Sequence, residues 1–248
     1  MKLLALAPGH RLHREQVECR LWSTLDRRAA AQNLHHTLYR ARHALEPALG
    51  RRAEPRFLRL HNDLLELAPR GELESDLERF EQSAAAAFAA PGHAQPFIDA
   101  VALFGGELLP EDRFEDWAID RRDTVKATYV DLLLELAAIE RSRARLDAAI
   151  DALKRIIAVE PLHEDAQAQL IYLNGLAGRR HLAVAHFRRF RDLLKSELEA
   201  EPLPTTLEIY RSVVSGRICP TDRIAMDVAP GGTRLTGERA GPALSLRP

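Results

Sequence analysis

The chain has 248 residues, 46% hydrophobic, 29% charged and only 6% aromatic, with 35 basic and 36 acidic residues for a net charge of −1. That length allows one large domain or two small ones with a substantial buried core. No apolar run approaches the ~20 residues that span a bilayer, and Cys19 and Cys219 lie too far apart for a disulfide framework or a zinc spacing, so a cytoplasmic setting is expected. Met1 to Ala7 is too short an apolar run for a signal peptide and is followed at once by Pro8, Gly9 and His10.

The near-zero net charge hides an asymmetry. Residues 1–60 hold 12 Lys/Arg and 5 Asp/Glu, a net of +7, and five of the ten His, so residues 61–248 carry −8. A basic front and an acidic remainder suggest a nucleic-acid-facing end and a protein-facing end. Arg outnumbers Lys 31 to 4 throughout, so arginine alone marks no site.

Ala and Leu dominate and β-branched residues are few, which favours helix. Residues 2–7 read as the end of a helix. Residues 13–22 read as a short helix with Val17, Leu21 and Trp22 on its apolar side, and residues 23–26 as a turn. Asp26 is placed to cap a helix over residues 27–45. Two short apolar runs, Arg56 to Leu60 and Leu64 to Leu67, flank His61-Asn62-Asp63 and predict a β-hairpin, the one good strand signal in the chain.

Downstream, helices are predicted over residues 76–90, with Leu77, Phe80 and Phe88 inside, and over 97–104. Longer amphipathic helices follow over about 112–142, 145–159, 163–177 and 180–199, then a short one over 204–214. The tail beyond, with 5 Gly and 4 Pro in 33 residues, reads as disordered. An offset of 34 residues aligns Leu136 with Leu170, Ile139 with Leu173, Ala149-Ile150 with Ala183-Val184, Leu153 with Phe187 and Ile156 with Phe190. That is the period of tetratricopeptide helical hairpins, which bury their apolar faces by stacking. Pro161 and Pro202 are 41 residues apart, so the second hairpin is expected to be longer.

The helix over residues 27–45 carries the strongest functional signal. Leu34, Leu38, Ala41 and Leu45 form one buried stripe, and at ~100° per residue the opposite face carries Gln32, His36, Tyr39, Arg40 and His43. No acid occurs between Asp26 and Glu46, whereas a merely solvated face mixes acids with bases. Gln and Arg form paired hydrogen bonds to adenine and guanine edges in the major groove. The base-facing set is therefore Gln32, His36, Tyr39, Arg40 and His43. The phosphate-facing set is His35, Arg42, Arg51, Arg52, Arg56 and Arg59. Short helix, turn, longer helix and hairpin follow the order of a winged helix-turn-helix.

Several blocks carry a family resemblance. His13-Arg14-Glu15-Gln16-Val17 with Leu21-Trp22 resembles the second helix of a response-regulator-type winged helix, and Gln32-Asn33-Leu34 through Leu38 to Leu45 resembles its recognition helix. Gly106 to Trp117 is similar to the opening of the bacterial transcriptional activator domain. Ala149-Ile150 through Glu160-Pro161-Leu162-His163-Glu164-Asp165-Ala166 resembles its repeat, as does Glu201-Pro202-Leu203-Pro204 with Leu207 and Tyr210. This order resembles the antibiotic-regulatory-protein family of transcription activators, with which residues 2–214 align. The implied fold is mainly α: a winged helix over 1–68, a tetratricopeptide-like helical domain over 69–214 and a disordered tail over 215–248.

The resemblance implies a transcriptional regulator, an activator, with double-stranded DNA as partner. RNA polymerase or another regulator would be a further partner through the helical domain, and a homodimer is an open option. The alternative reading is a protein-interaction module whose truncated winged helix does not bind DNA. Its motive is that the family's winged helix begins with a small sheet and a complete first helix, whereas this chain is expected to start within that helix. Leu4, Leu6, Leu21 and Trp22 are then expected to be poorly covered. No cofactor, metal or catalytic arrangement is expected: the pairs His10/His13 and His35/His36 lack a partnering carboxylate at helical spacing, Gly105-Gly106 lacks the Gly-Lys-Ser/Thr of a phosphate loop, Trp117 is expected in the core and Cys19 inert.

Overall fold

The computed structural model describes residues 1–50, 53–71 and 73–219. Helix α1 (Lys2–Ala5) leads through a Pro8–His10 turn into strand β1 (Arg11–His13) and helices α2 (Arg14–Leu21) and α3 (Arg27–Leu45), followed by β2 (Leu58–His61) and β3 (Leu64–Leu67). The strands form an antiparallel sheet in the order β1-β3-β2, with Leu65 opposite both Leu12 and Leu60. Asn62 and Asp63 connect β2 to β3 with φ of 48° and 62°. Two left-handed residues in a two-residue connection match the right-handed twist of the strands, and Asn and Asp tolerate that backbone better than most residues.

Strand β1 is absent from the sequence reading. Its three residues hold one apolar side chain, Leu12, and only the pairing with β3 defines it. Leu12, Leu58 and Leu65 from the sheet, Val17 from α2, Leu34 and Leu38 from α3, and Leu3, Leu4 and Ala7 from the start form one buried cluster. Leu4 is buried rather than poorly covered, and Trp22 packs against the same cluster. Leu21 is exposed, as expected of an uncovered side chain. Leu6 packs instead against the core of the downstream helices.

Those helices are α4 (Asp76–Phe88), α5 (Ala94–Ala102), α6 (Ile119–Ser142), α7 (Leu146–Val159), α8 (Glu164–Leu176), α9 (Arg180–Leu198) and α10 (Pro204–Val214). The 34-residue offset pairs buried with buried: Leu136 with Leu170, Ile139 with Leu173, Ala149 with Ala183, Leu153 with Phe187 and Ile156 with Phe190. The second hairpin is longer because α9 has 19 residues against 14 in α7. Phe88, expected inside, lies at the rim with 43% of its surface exposed and its ring edge-on to the buried Phe97. Of the tail expected to be disordered, residues 220–248 lie outside the described residues, while Ile218 packs beside Leu207, Tyr210 and Val213.

Helix α6 begins later than expected because residues 105–118 form a fixed loop with two short turns, Pro110–Asp112 and Asp116–Ala118. The Arg122 guanidinium holds it, donating from Nε to the Leu108 carbonyl (2.9 Å), from Nη1 to the Arg113 carbonyl (3.1 Å), and from Nη2 to the Asp112 carbonyl. The same loop ties the two halves of the molecule together. Lys2 Nζ reaches Glu111 (3.0 Å) and Asp112 (2.5 Å), and these carboxylates hold its ammonium above the usual lysine range. Trp117, expected in the core, packs half-buried against the N-terminal cluster, with its indole N–H donating to Glu115 (2.9 Å). His10 Nε2 lies 3.2 Å from Glu78 of α4.

His186 on α9 provides a test of the helical packing. Its Nε2–H donates to Gln167 Oε1, and Gln167 Nε2 donates to the Pro161 carbonyl (2.6 Å), joining α9 to the α7–α8 turn. Burial, assisted by the nearby Arg189, pushes His186 down to about 4 from 6.5. The folded chain then binds fewer protons than the unfolded chain between these values. Stability from this site is complete above pH 6.5 and is lost as pH falls toward 4. Denaturant titrations across that window are expected to show a falling midpoint, with a shallower fall in His186→Gln; identical pH slopes for the two proteins would contradict this.

Candidate nucleic-acid interface

The interface is built on α3. Asp26 caps it, its carboxylate accepting from the Ala29 N–H at 2.8 Å, which satisfies one of the orphan donors of the first turn. Ala30, Leu34 and Leu38 are buried beneath the helix, and Gln32, His35, His36, Tyr39 and Arg40 point to solvent on the other side. Tyr39 is 59% exposed. His43, at the end of this face, is half-buried: its Nδ1 is 3.0 Å from the Tyr39 carbonyl and its ring lies 4.2 Å from the Tyr39 ring. The Tyr39–His43 pair is thus a preformed aromatic ledge, whereas Gln32, His36 and Arg40 are unobstructed.

Three carboxylates that border α3 each have a partner. Asp26 is the cap. Glu46, at the other end, turns inward and accepts from the backbone N–H of Arg56 (2.9 Å) and of Phe57 (3.3 Å), fixing the approach to β2. Glu15 of α2 pairs with Arg27. Beyond Arg27, which Glu15 pairs, the exposed face of α3 carries donors and cations and no acid of its own.

The predicted phosphate contacts divide into two groups. Arg42 is half-buried and donates from Nε to the Leu58 carbonyl (3.0 Å), binding α3 to the first wing strand; burial lowers its pKa. Arg59 likewise donates from Nε to the Pro55 carbonyl (3.1 Å). Both act as struts here, each with guanidinium nitrogens besides the Nε it uses. Arg56 is exposed, with its guanidinium 4.9 Å above the Phe57 ring, and His35 is exposed on α3. Arg51 and Arg52 lie outside the described residues.

The sequence reading missed the groups that hold these elements in register. Arg14, at the start of α2, contacts the buried Glu18 (3.2 Å) and Asp63 of the wing turn (3.4 Å), and its backbone N–H donates to the Asp63 carbonyl (2.8 Å). Glu18 raises the pKa of Arg14 through their hydrogen bond. One residue thus joins the helix-turn-helix to the wing. The only available signal was a helical i, i+4 Arg/Glu spacing, which ordinarily marks a solvated pair. His13 caps α2, its Nδ1 accepting from the Glu15 N–H (3.3 Å), which accounts for that histidine without a metal.

Replacing Arg14 with Ala leaves the Glu18 carboxylate buried without its cation. The expected loss of stability is about 2–3 kcal/mol, below the cost for a fully buried pair because Arg14 is a third exposed. Adding Glu18→Gln is expected to recover most of it. Denaturation of the single and double variants checks this, and a fully additive pair would contradict it.

Among known proteins, residues 75–214 match the model of the bacterial transcriptional activator domain family. No curated protein matches the chain. One solved structure, that of Mycobacterium tuberculosis EmbR in complex with a low-affinity phosphopeptide, superposes with a TM-score of 0.64 at 19% sequence identity. The alignment covers 90% of this chain and 62% of the EmbR chain, so the fold is shared over less than two thirds of that structure. With the family match spanning more than half its residues, the chain belongs to the bacterial transcriptional activator domain family, a family of transcriptional regulators rather than enzymes.

Proposed function

We propose that the chain is a sequence-specific DNA-binding regulator of transcription, acting as an activator. The observation that carries this reading is the acid-free outer face of α3, with its bounding carboxylates Asp26 and Glu46 turned to structural use. A helix about 10–12 Å across fits the major groove. Gln32, His36 and Arg40, with the Tyr39–His43 ledge, face the bases. Arg56 and His35, with Arg51 and Arg52, face the backbone, and Arg42 and Arg59 set the angle between α3 and the wing while offering their remaining donors to phosphates. The helical part carries the protein contacts: RNA polymerase or another regulator, and a second copy of the chain.

The test is a mobility shift with the full chain across promoter fragments. A sequence-specific shift is expected, whereas a protein-interaction module would give none. Arg40→Ala is expected to cost about 1–3 kcal/mol and to relax discrimination at one base pair. Arg56→Ala is expected to weaken all sequences alike and to reduce the salt slope by about 1. If Arg40→Ala weakened all sequences equally, its assignment to a base would be wrong.

A further inference from the structure

We infer that two copies of the chain associate by seating Phe114 of each copy in a basic groove on α9 of the other. Phe114 is 94% exposed, the most exposed of the large hydrophobic side chains among the described residues. It does not sit on a loose segment. Arg122 grips the carbonyls on its N-terminal side, Arg113 pairs with Glu107 (2.8 Å), and Lys2 pairs with Glu111 and Asp112. A rigid loop presenting a bare aromatic ring loses little entropy on binding, which is the property of an interface anchor. The ring is followed by exposed Glu115 and Asp116, so its socket must combine an apolar floor with a basic rim.

The same chain offers such a socket. Gly178, Arg180, His181, Val184, Ala185 and Arg188 line an open groove of ≈ 570 Å³. Val184 and Ala185 form the apolar part, and Arg180, His181 and Arg188 the basic part. Residues 166–191 contain no acid, in a region whose overall charge is negative. Arg180 and Arg188 are exposed without a carboxylate partner among the described residues, whereas the neighbouring Arg179 is paired with Asp147 (2.5 Å). Knob and socket thus complement one another in polarity and charge. A two-fold arrangement in which both pairs form at once would close the assembly at two chains. This inference rests on the homodimer reading above and names its surface.

Sedimentation equilibrium of the full chain across the micromolar range tests it. Wild type is expected to dimerise reversibly, more weakly at high salt. Phe114→Ala and Arg188→Glu are each expected to weaken dimerisation by at least about tenfold with unchanged thermal unfolding, because both side chains are exposed. Phe114→p-benzoylphenylalanine is expected to photocross-link to the 178–188 peptide of a second copy. A monomeric wild type would overturn the homodimer reading itself. Dimers that survive Phe114→Ala, or cross-links to any other peptide, would overturn only the assigned surface. None of these outcomes bears on DNA binding by α3.

Discussion

The engagement of two carboxylates, Asp26 and Glu46, by backbone N–H groups governs the rest of the N-terminal structure. Each satisfies backbone N–H groups that would otherwise be orphaned, one at the start of α3 and the other at the approach to the wing. Both acids lie at the ends of α3 and leave the face between them free of carboxylates. The same two interactions fix where α3 begins and how the wing leaves it, so the electrostatic character of the face and its geometry have a common origin. Arg42 and Arg14 complete the arrangement from either side, the first tying α3 to β2 and the second tying α2 to the wing turn.

This arrangement reconciles a net charge of −1 with the DNA contact proposed for α3. The net positive charge is concentrated in the first quarter of the sequence, where acids are few, and several of those acids are engaged. The acidic remainder builds the helical part, where residues at a 34-residue offset are buried in adjoining cores, Ala149 and Leu153 in one and Ala183 and Phe187 in the next. The two parts are joined by Lys2 with Glu111 and Asp112, by His10 with Glu78, and by Trp117 and Leu6, each packed against the other part's core. Contacts of mixed polar and apolar character at such a junction hold α3 in a defined relation to the helical part.

Much of this was legible in the sequence because its signals are local. The bounds of α3 follow from Asp26 and the 3–4 spacing of Leu34, Leu38, Ala41 and Leu45, and the wing turn follows from Asn62-Asp63 between two apolar runs. The features that were not legible depend on distant residues. Strand β1 exists only through β3, and Trp117 finds its core across the junction rather than along its own helix. The delayed start of α6 depends on Arg122 gripping carbonyls up to 14 residues upstream. The acid-free face could be read as chemistry, but the use made of Arg42 and Arg59 could not, because an arginine bonded to a backbone carbonyl looks in sequence like one free to meet a phosphate.

The central claim is that the outer face of α3 reads bases in the major groove. Methylation interference on a bound promoter fragment tests it most directly, because methylation of guanine N7 blocks the acceptor that arginine would use there. The account predicts interference at one or more guanines of the protected region that is lost in Arg40→Ala. Binding indifferent to N7 methylation throughout the protected region would contradict it.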